Sequence, residues 1–181
     1  KKNSRKKNNF LFYIDANNLY GLAMSQYLPT SNFKYEILSQ ELFNKILNTP
    51  DDSNIGYTLE VDLIYTDECK LKTKDYPLAP ERYLPQILTP YQNQFNIKSK
   101  IPKLCCTLEN KYNYVVDYRN LKYYISLGMV VSNVHQIISY TQSPWLKVYI
   151  DLNTKKRSIG LTEFEKDIWK LMNNAFFGNT I

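Results

Sequence analysis

Strand-like and helix-like segments alternate along this chain without the glycine-rich strand-to-helix turns of a doubly wound parallel sheet; its 181 residues include only five glycines. That pattern points to an α+β fold, antiparallel strands with helices packed on them. Residues 10–14 (FLFYI) read as a short buried strand that ends at Asp15. Asn17 or Asn18 can cap a helix carrying Leu19, Leu22, Ala23 and Met24, which Pro29 would end. Ser39 suits the N-cap of a second helix over 39–48, with Leu42, Phe43, Ile46 and Leu47 on one face. The turn cluster TPDDSNIG then leads into an alternating strand over 57–65.

A polar connector follows over 66–102, with prolines at 77, 80, 85, 90 and 102, and it reads as irregular. Beyond it the pattern predicts a strand at 111–118, a helix stopped by Gly128 and a strand at 129–140. The next helix has Ser143 as N-cap and Pro144 at its first position. Thr162 and Glu165 make a capping box for the last helix, on which Phe164, Ile168, Leu171 and Ala175 recur as a core stripe. Lys166, Lys170 and Asn174 stack four apart on a different face. On spacing alone that face is an ordinary solvated one; a lysine one turn from an asparagine also suits an anionic, hydrogen-bonding ligand.

Charge narrows the function classes only a little. The formal net charge is +6, but Lys1, Lys2, Arg5, Lys6 and Lys7 supply five of those charges, so a polyanion partner is permitted rather than required. Sixteen tyrosines suit either a Tyr-rich core or a wet groove. Cys69, Cys105, Cys106 and the single His135 have no metal-ligand spacing, which argues against a zinc site or disulfide framework and for a reducing, intracellular setting. No apolar run approaches the ~20 residues of a membrane span, and no signal peptide is visible.

The two ends of the chain are informative together. YIDANNLYG (13–21) resembles the first carboxylate motif of family B DNA polymerases, D-x-x-S-L-Y-P, and KLMNNAFFG (170–178) resembles their fingers-helix motif, K-x-x-x-N-S-x-Y-G. The intervening GYTLEVDLIY, DYPLAPE and NYVVDYRNLKYYISLGMVVSNVHQIISYTQSPWLKVYIDLNT look like the protein-primed branch, as in Maverick/Polinton-type transposons and related viruses and linear plasmids. The resemblance implies a partial polymerase palm with an insertion and a fingers helix. Its segments would be a basic arm (1–9), a first palm part (10–65), an insertion (66–111), a palm or insertion continuation (112–160) and the fingers helix (161–181).

It also implies roles. Asp15 matches the first metal-binding aspartate of a two-magnesium site, and Ala16 would lend its carbonyl to one Mg2+. Backbone amides of Asn17, Asn18 and Leu19 would meet the triphosphate, and Tyr20 matches a steric gate beneath the sugar that excludes a 2′-hydroxyl. Lys170 and, further off, Arg157 would contact phosphate oxygens; Asn174, Phe177 and Gly178 would shape the nascent base-pair pocket. Without the resemblance, Tyr20 is a core aromatic and Asp15 a helix cap. The implied partners are a deoxynucleoside triphosphate, a DNA primer-template and a terminal priming protein, which the lysines of the insertion (70, 72, 74, 98, 100 and 103) could also serve, as they could a solvated loop.

Asn18 stands in place of serine, Gly21 in place of proline and Phe177 in place of tyrosine. The family's second carboxylate motif, Y-x-D-T-D-S, and any D-x-D are absent. One carboxylate holds two metals poorly, so the expectation is a fragment that does not polymerise DNA alone. The alternative is a non-catalytic DNA-binding or structural protein derived from such a polymerase. Glu60 and Asp62, mid-strand on one side, read as structural rather than as a second metal site.

Overall fold

The computed structural model describes residues 12–14, 18–85, 89–97 and 101–179. In chain order the elements are α1 (Leu19–Met24), β1 (Leu28–Tyr35), α2 (Gln40–Leu47), β2 (Ile55–Tyr65), α3 (Asp67–Thr73), β3 (Glu81–Tyr83), α4 (Pro90–Gln94), β4 (Lys103–Cys105), β5 (Lys111–Asp117), α5 (Tyr118–Ser126), β6 (Met129–Ser143), α6 (Lys147–Ile159) and α7 (Glu163–Asn179). The fold is mixed α+β. It divides into two compact units, residues 29–143 and residues 1–28 with 144–181.

The 29–143 unit is built on a four-stranded sheet in the order β1-β6-β2-β5. β2 sits between two antiparallel partners, with Leu59 opposite Val116 on β5 and Ile137 on β6. Its period-two pattern turns Tyr57, Leu59, Val61, Leu63 and Tyr65 to one face, all buried against Ile46, Cys69, Tyr118 and Leu121. Each such side chain contributes about 1.5–3 kcal/mol of hydrophobic stabilisation. Ser39 caps α2, accepting from Leu42 N–H at 3.1 Å. Gly128, at φ 102°, ends α5 in a conformation that suits glycine, and its carbonyl accepts from Thr66 Oγ1 at 2.8 Å.

On the sheet's other face, register shifts beside Val61 and Leu63 make room for extra residues on β6, His135 among them. His135 Nε2 lies 2.9 Å from Asp62 Oδ1, which also accepts from Asn113 N–H at 2.9 Å. The Asn113 amide first, then the His135 ring, holds the Asp62 carboxyl below the usual range. Asp62 is thus a structural tie between three strands.

Several expectations change. Residues 12–14 form no strand among the described residues and lie exposed, because an apolar run becomes a strand only where a partner edge accepts its backbone bonds; Phe10 and Leu11 lie outside the described residues. Helix α1 ends at Met24, and Pro29 instead sits in the edge strand β1, where its missing N–H costs no ladder bond. The connector is not irregular. Thr66 caps α3, Thr89 and Gln92 make a capping box on α4, and β3 pairs antiparallel with β4. Lys111, fully buried, ties this region to β5 through Glu81 at 2.9 Å and Thr107 at 2.7 Å. Of the insertion lysines, Lys72 pairs with Glu68 at 2.6 Å, and Lys98 and Lys100 lie outside the described residues.

The other unit packs α1, α6 and α7 around Met24, Leu146 and Ile150, with Tyr149, Phe176 and Phe177 at the margin. Helix α6 begins after Leu146; Ser143 remains in β6 rather than acting as N-cap, so Pro144 precedes the helix instead of opening it. The capping box of α7 forms as read, Glu165 N–H donating to Thr162 Oγ1 at 3.2 Å and Glu165 Oε2 accepting from Thr162 N–H at 3.3 Å. The core stripe does not. Phe164 is 74% exposed and Leu171 is exposed too, while Trp169, Asn173, Phe176 and Phe177 make up the more enclosed side. The helix turns that side toward α6 because Asn173 and Phe176 find partners there: Asn153 and Tyr149.

Candidate functional site

The residues of interest in the three-helix unit meet at the start of α1. Asn18, the residue before the helix, has φ 60°, and its side chain caps nothing; it folds over Gly21 instead. A methyl group at position 21 would come within 2.6 Å of Asn18 Cγ, so the asparagine side chain takes this place only beside a glycine. Tyr20, half exposed, stacks on Phe177 of α7 with ring centroids 4.2 Å apart and planes at 24°. A pocket of about 370 Å³ opens beside this stack, lined by Asn18, Leu19, Tyr20, Arg157, Lys170, Asn173 and Asn174. That is a size suited to a small molecule.

The lining is cationic and amide-rich over an apolar floor. Lys170 and Asn174 lie one turn apart on α7, and Arg157 projects from α6. Neither Lys170 nor Arg157 makes an ion pair among the described residues, whereas Lys166, one turn before Lys170, is taken up by Glu163 at 2.7 Å. Two such cations facing a common space favour an anionic ligand, with an attraction that solvent and salt screen because both side chains are exposed. Among the described residues the lining is made of Asn, Leu, Tyr, Arg and Lys side chains, groups suited to binding and orienting a ligand.

No family model matches the chain, and no curated protein does. One solved structure, Phi29 DNA polymerase in an orthorhombic crystal form, is similar to it with 14% identity and a TM-score of 0.49. The match covers 91% of this chain, which spans 25% of the length of that polymerase.

Of the residues singled out in the sequence, Asn18, Leu19, Tyr20, Arg157, Lys170 and Asn174 share the pocket, and Phe177 backs it through Tyr20. Gly178 is exposed, outside the lining, with open space where a side chain would stand. Asp15, Ala16 and Asn17 lie outside the described residues. Among the described residues no three His, Cys, Asp or Glu side chains are grouped as a metal would need, so these residues offer no ligand set of their own for magnesium. No helix among the described residues is long and apolar enough to cross a membrane.

Sequence reasoning missed Asn173. It lines the pocket while only 5% exposed, and its Oδ1 accepts from Asn153 Nδ2 at 2.8 Å. Two signals pointed to it: its place three residues after Lys170, and an asparagine at 153 one turn before Arg157.

Proposed function

We propose that this chain is the palm-and-fingers portion of a protein-primed family B DNA polymerase, running from the first carboxylate motif to the fingers helix, and that its pocket takes the incoming deoxynucleoside triphosphate. The observation that supports this reading is the convergence of Tyr20, Arg157, Lys170 and Asn174, brought from positions 150 residues apart in the chain onto one cavity. In this reading Lys170 and Arg157 hold phosphate oxygens, and Tyr20 stands beneath the sugar as a flat wall that leaves a 2′-hydroxyl no room. Phe177 offers a stacking surface and no hydroxyl, so the wall is fixed by ring contact. Asn18 and Gly21, which depart from the family motif, lie against one another at the start of the helix.

Asp15 and the Ala16 carbonyl are proposed to hold magnesium, which would supply charge neutralisation at the phosphates. The chain's own residues bind the nucleotide, orient its sugar and screen its charge. A primer-template and a terminal priming protein are the proposed macromolecular partners. Calorimetric titration with dATP and ATP tests the reading: the wild-type chain binds dATP more tightly, and Tyr20→Val narrows the gap. A chain that binds neither nucleotide, or a variant with the preference unchanged, sinks it.

A further inference from the structure

We infer that Asn173, oriented by Asn153, is an additional binding residue that donates an amide N–H to the anionic part of the ligand in this pocket. The inference rests on the proposed nucleotide reading and adds a contact that the sequence motifs do not include.

Burial is the first observation. A side-chain amide nine-tenths or more enclosed normally has its polar atoms paired. Asn173 meets that standard with one atom only: Oδ1 takes the hydrogen bond from Asn153 Nδ2 at 2.8 Å. Its Nδ2 has no acceptor among the described residues, yet it is not sealed off, since the one enclosed and unpaired side-chain polar atom among them is Gln142 Oε1. Asn173 is part of the pocket wall, so the opening left to its amide nitrogen is the pocket.

The second observation is the holder. Asn153 is 1% exposed, lies one turn before Arg157 on α6, and is not itself among the residues that line the cavity. Its N–H group occupies the Asn173 carbonyl and so fixes which end of the amide faces the ligand. A leucine pair would pack α6 on α7 with no buried polar cost. The asparagine pair instead presents a rigid donor whose rotamer is already chosen before binding.

The third observation is charge. Arg157 and Lys170 line the same cavity and have no donor–acceptor partners of their own among the described residues. Both can only donate. With Asn173 Nδ2 they make three donors, from two helices, around one space, and the complementary ligand group is an oxyanion with several acceptor atoms, as in a triphosphate.

The test uses the whole chain and two probes, inorganic tripolyphosphate for the anionic part and uncharged 2′-deoxyadenosine for the remainder, at fixed ionic strength. Asn173→Leu removes the donor and keeps the volume; its tripolyphosphate affinity is expected to fall about tenfold, the scale of a lost hydrogen bond to a charged group. Affinity for 2′-deoxyadenosine should stay within about twofold. Asn153→Leu leaves the donor in place but unfixed and should weaken tripolyphosphate by about threefold. Asn173→Asp keeps the bond from Asn153, serves if the leucine variant does not fold, and should weaken tripolyphosphate further still. A folded Asn173 variant with unchanged tripolyphosphate affinity, or one that loses both probes equally, overturns this inference and leaves the nucleotide reading standing. A wild-type chain that binds neither probe overturns both.

Discussion

Gly56 lies in the central strand β2, where no unusual backbone angle calls for glycine; what the position lacks is space. A methyl group there would overlap Gln142 Oε1 and Tyr140 Cε2 and stand 2.8 Å from Gln142 Cδ. Neither neighbour can give way cheaply. Gln142 is buried and donates through Nε2 to Ser53 O at 2.7 Å and to Tyr118 Oη at 3.0 Å. Tyr140, equally buried, donates to Asp117 Oδ2 at 3.0 Å, and burial pushes its phenol up to about 12. Gly56→Ala therefore forces the loss of about two hydrogen bonds, near 1 kcal/mol each, or an overpacking strain of about 1–3 kcal/mol. The expected destabilisation is about 1–3 kcal/mol, read as a lower urea midpoint at unchanged slope and a Tm lower by roughly 6 °C. Far-ultraviolet circular dichroism on the chain measures both. Adding Gln142→Ala should make the two substitutions less than additive, because the Gln142 part of the clash disappears with its side chain while the overlap with Tyr140 remains. A Gly56→Ala chain within about 0.5 kcal/mol of wild type, the scatter of ordinary surface substitutions, would refute the steric account.

Three further outcomes follow from single contacts. Lys111→Ala should cost about 3–5 kcal/mol in urea unfolding by leaving a cavity and an unpaired Glu81, while Lys111→Met, which fills the space, should cost clearly less because the half-open Glu81 can be rehydrated. The lowered Asp62 carboxyl stabilises the fold fully above about pH 4, its ordinary value, and that contribution disappears as pH falls through the lower folded-state value. Urea midpoints from pH 6 to pH 2 should thus show an acid-limb loss that Asp62→Asn diminishes, and equal acid limbs would contradict the assignment. Lys170→Ala should weaken tripolyphosphate binding about tenfold at low salt and by much less at 0.5 M salt, as roughly expected for a screened point charge in an open pocket; a salt-independent loss would point to misfolding instead.

Much of the secondary structure was legible because its signals are local. Ser39 before α2, the Thr162 and Glu165 box before α7, the alternation along β2 and Gly128 after α5 each involve residues within a few positions of one another. They form as read. The same signals were present at Thr66 and Thr89; prolines at 85 and 90 obscured the second, and the first was read as part of one polar connector. β1 left no pattern, since its side chains are mostly exposed. It exists through β6, with Glu36 N–H on Ile137 O at 3.0 Å and Thr30 Oγ1 on Thr141 O at 3.0 Å, over a hundred residues away.

The site divides along the same line. Sequence by itself determined the residue types and spacings, Tyr20 five after Asp15 and Asn174 four after Lys170, because a motif is a local arrangement on one element. Which face of α7 meets α6, and so whether Phe164 or Asn173 is enclosed, was beyond it: both faces have helical periodicity, and only the partner surface chooses between them. Tertiary structure alone stacked Tyr20 on Phe177, gathered Arg157 with Lys170, and set the buried Asn173 amide in their midst. Those contacts join positions far apart in the chain, where closure of the fold, and no neighbouring residue, determines what touches what.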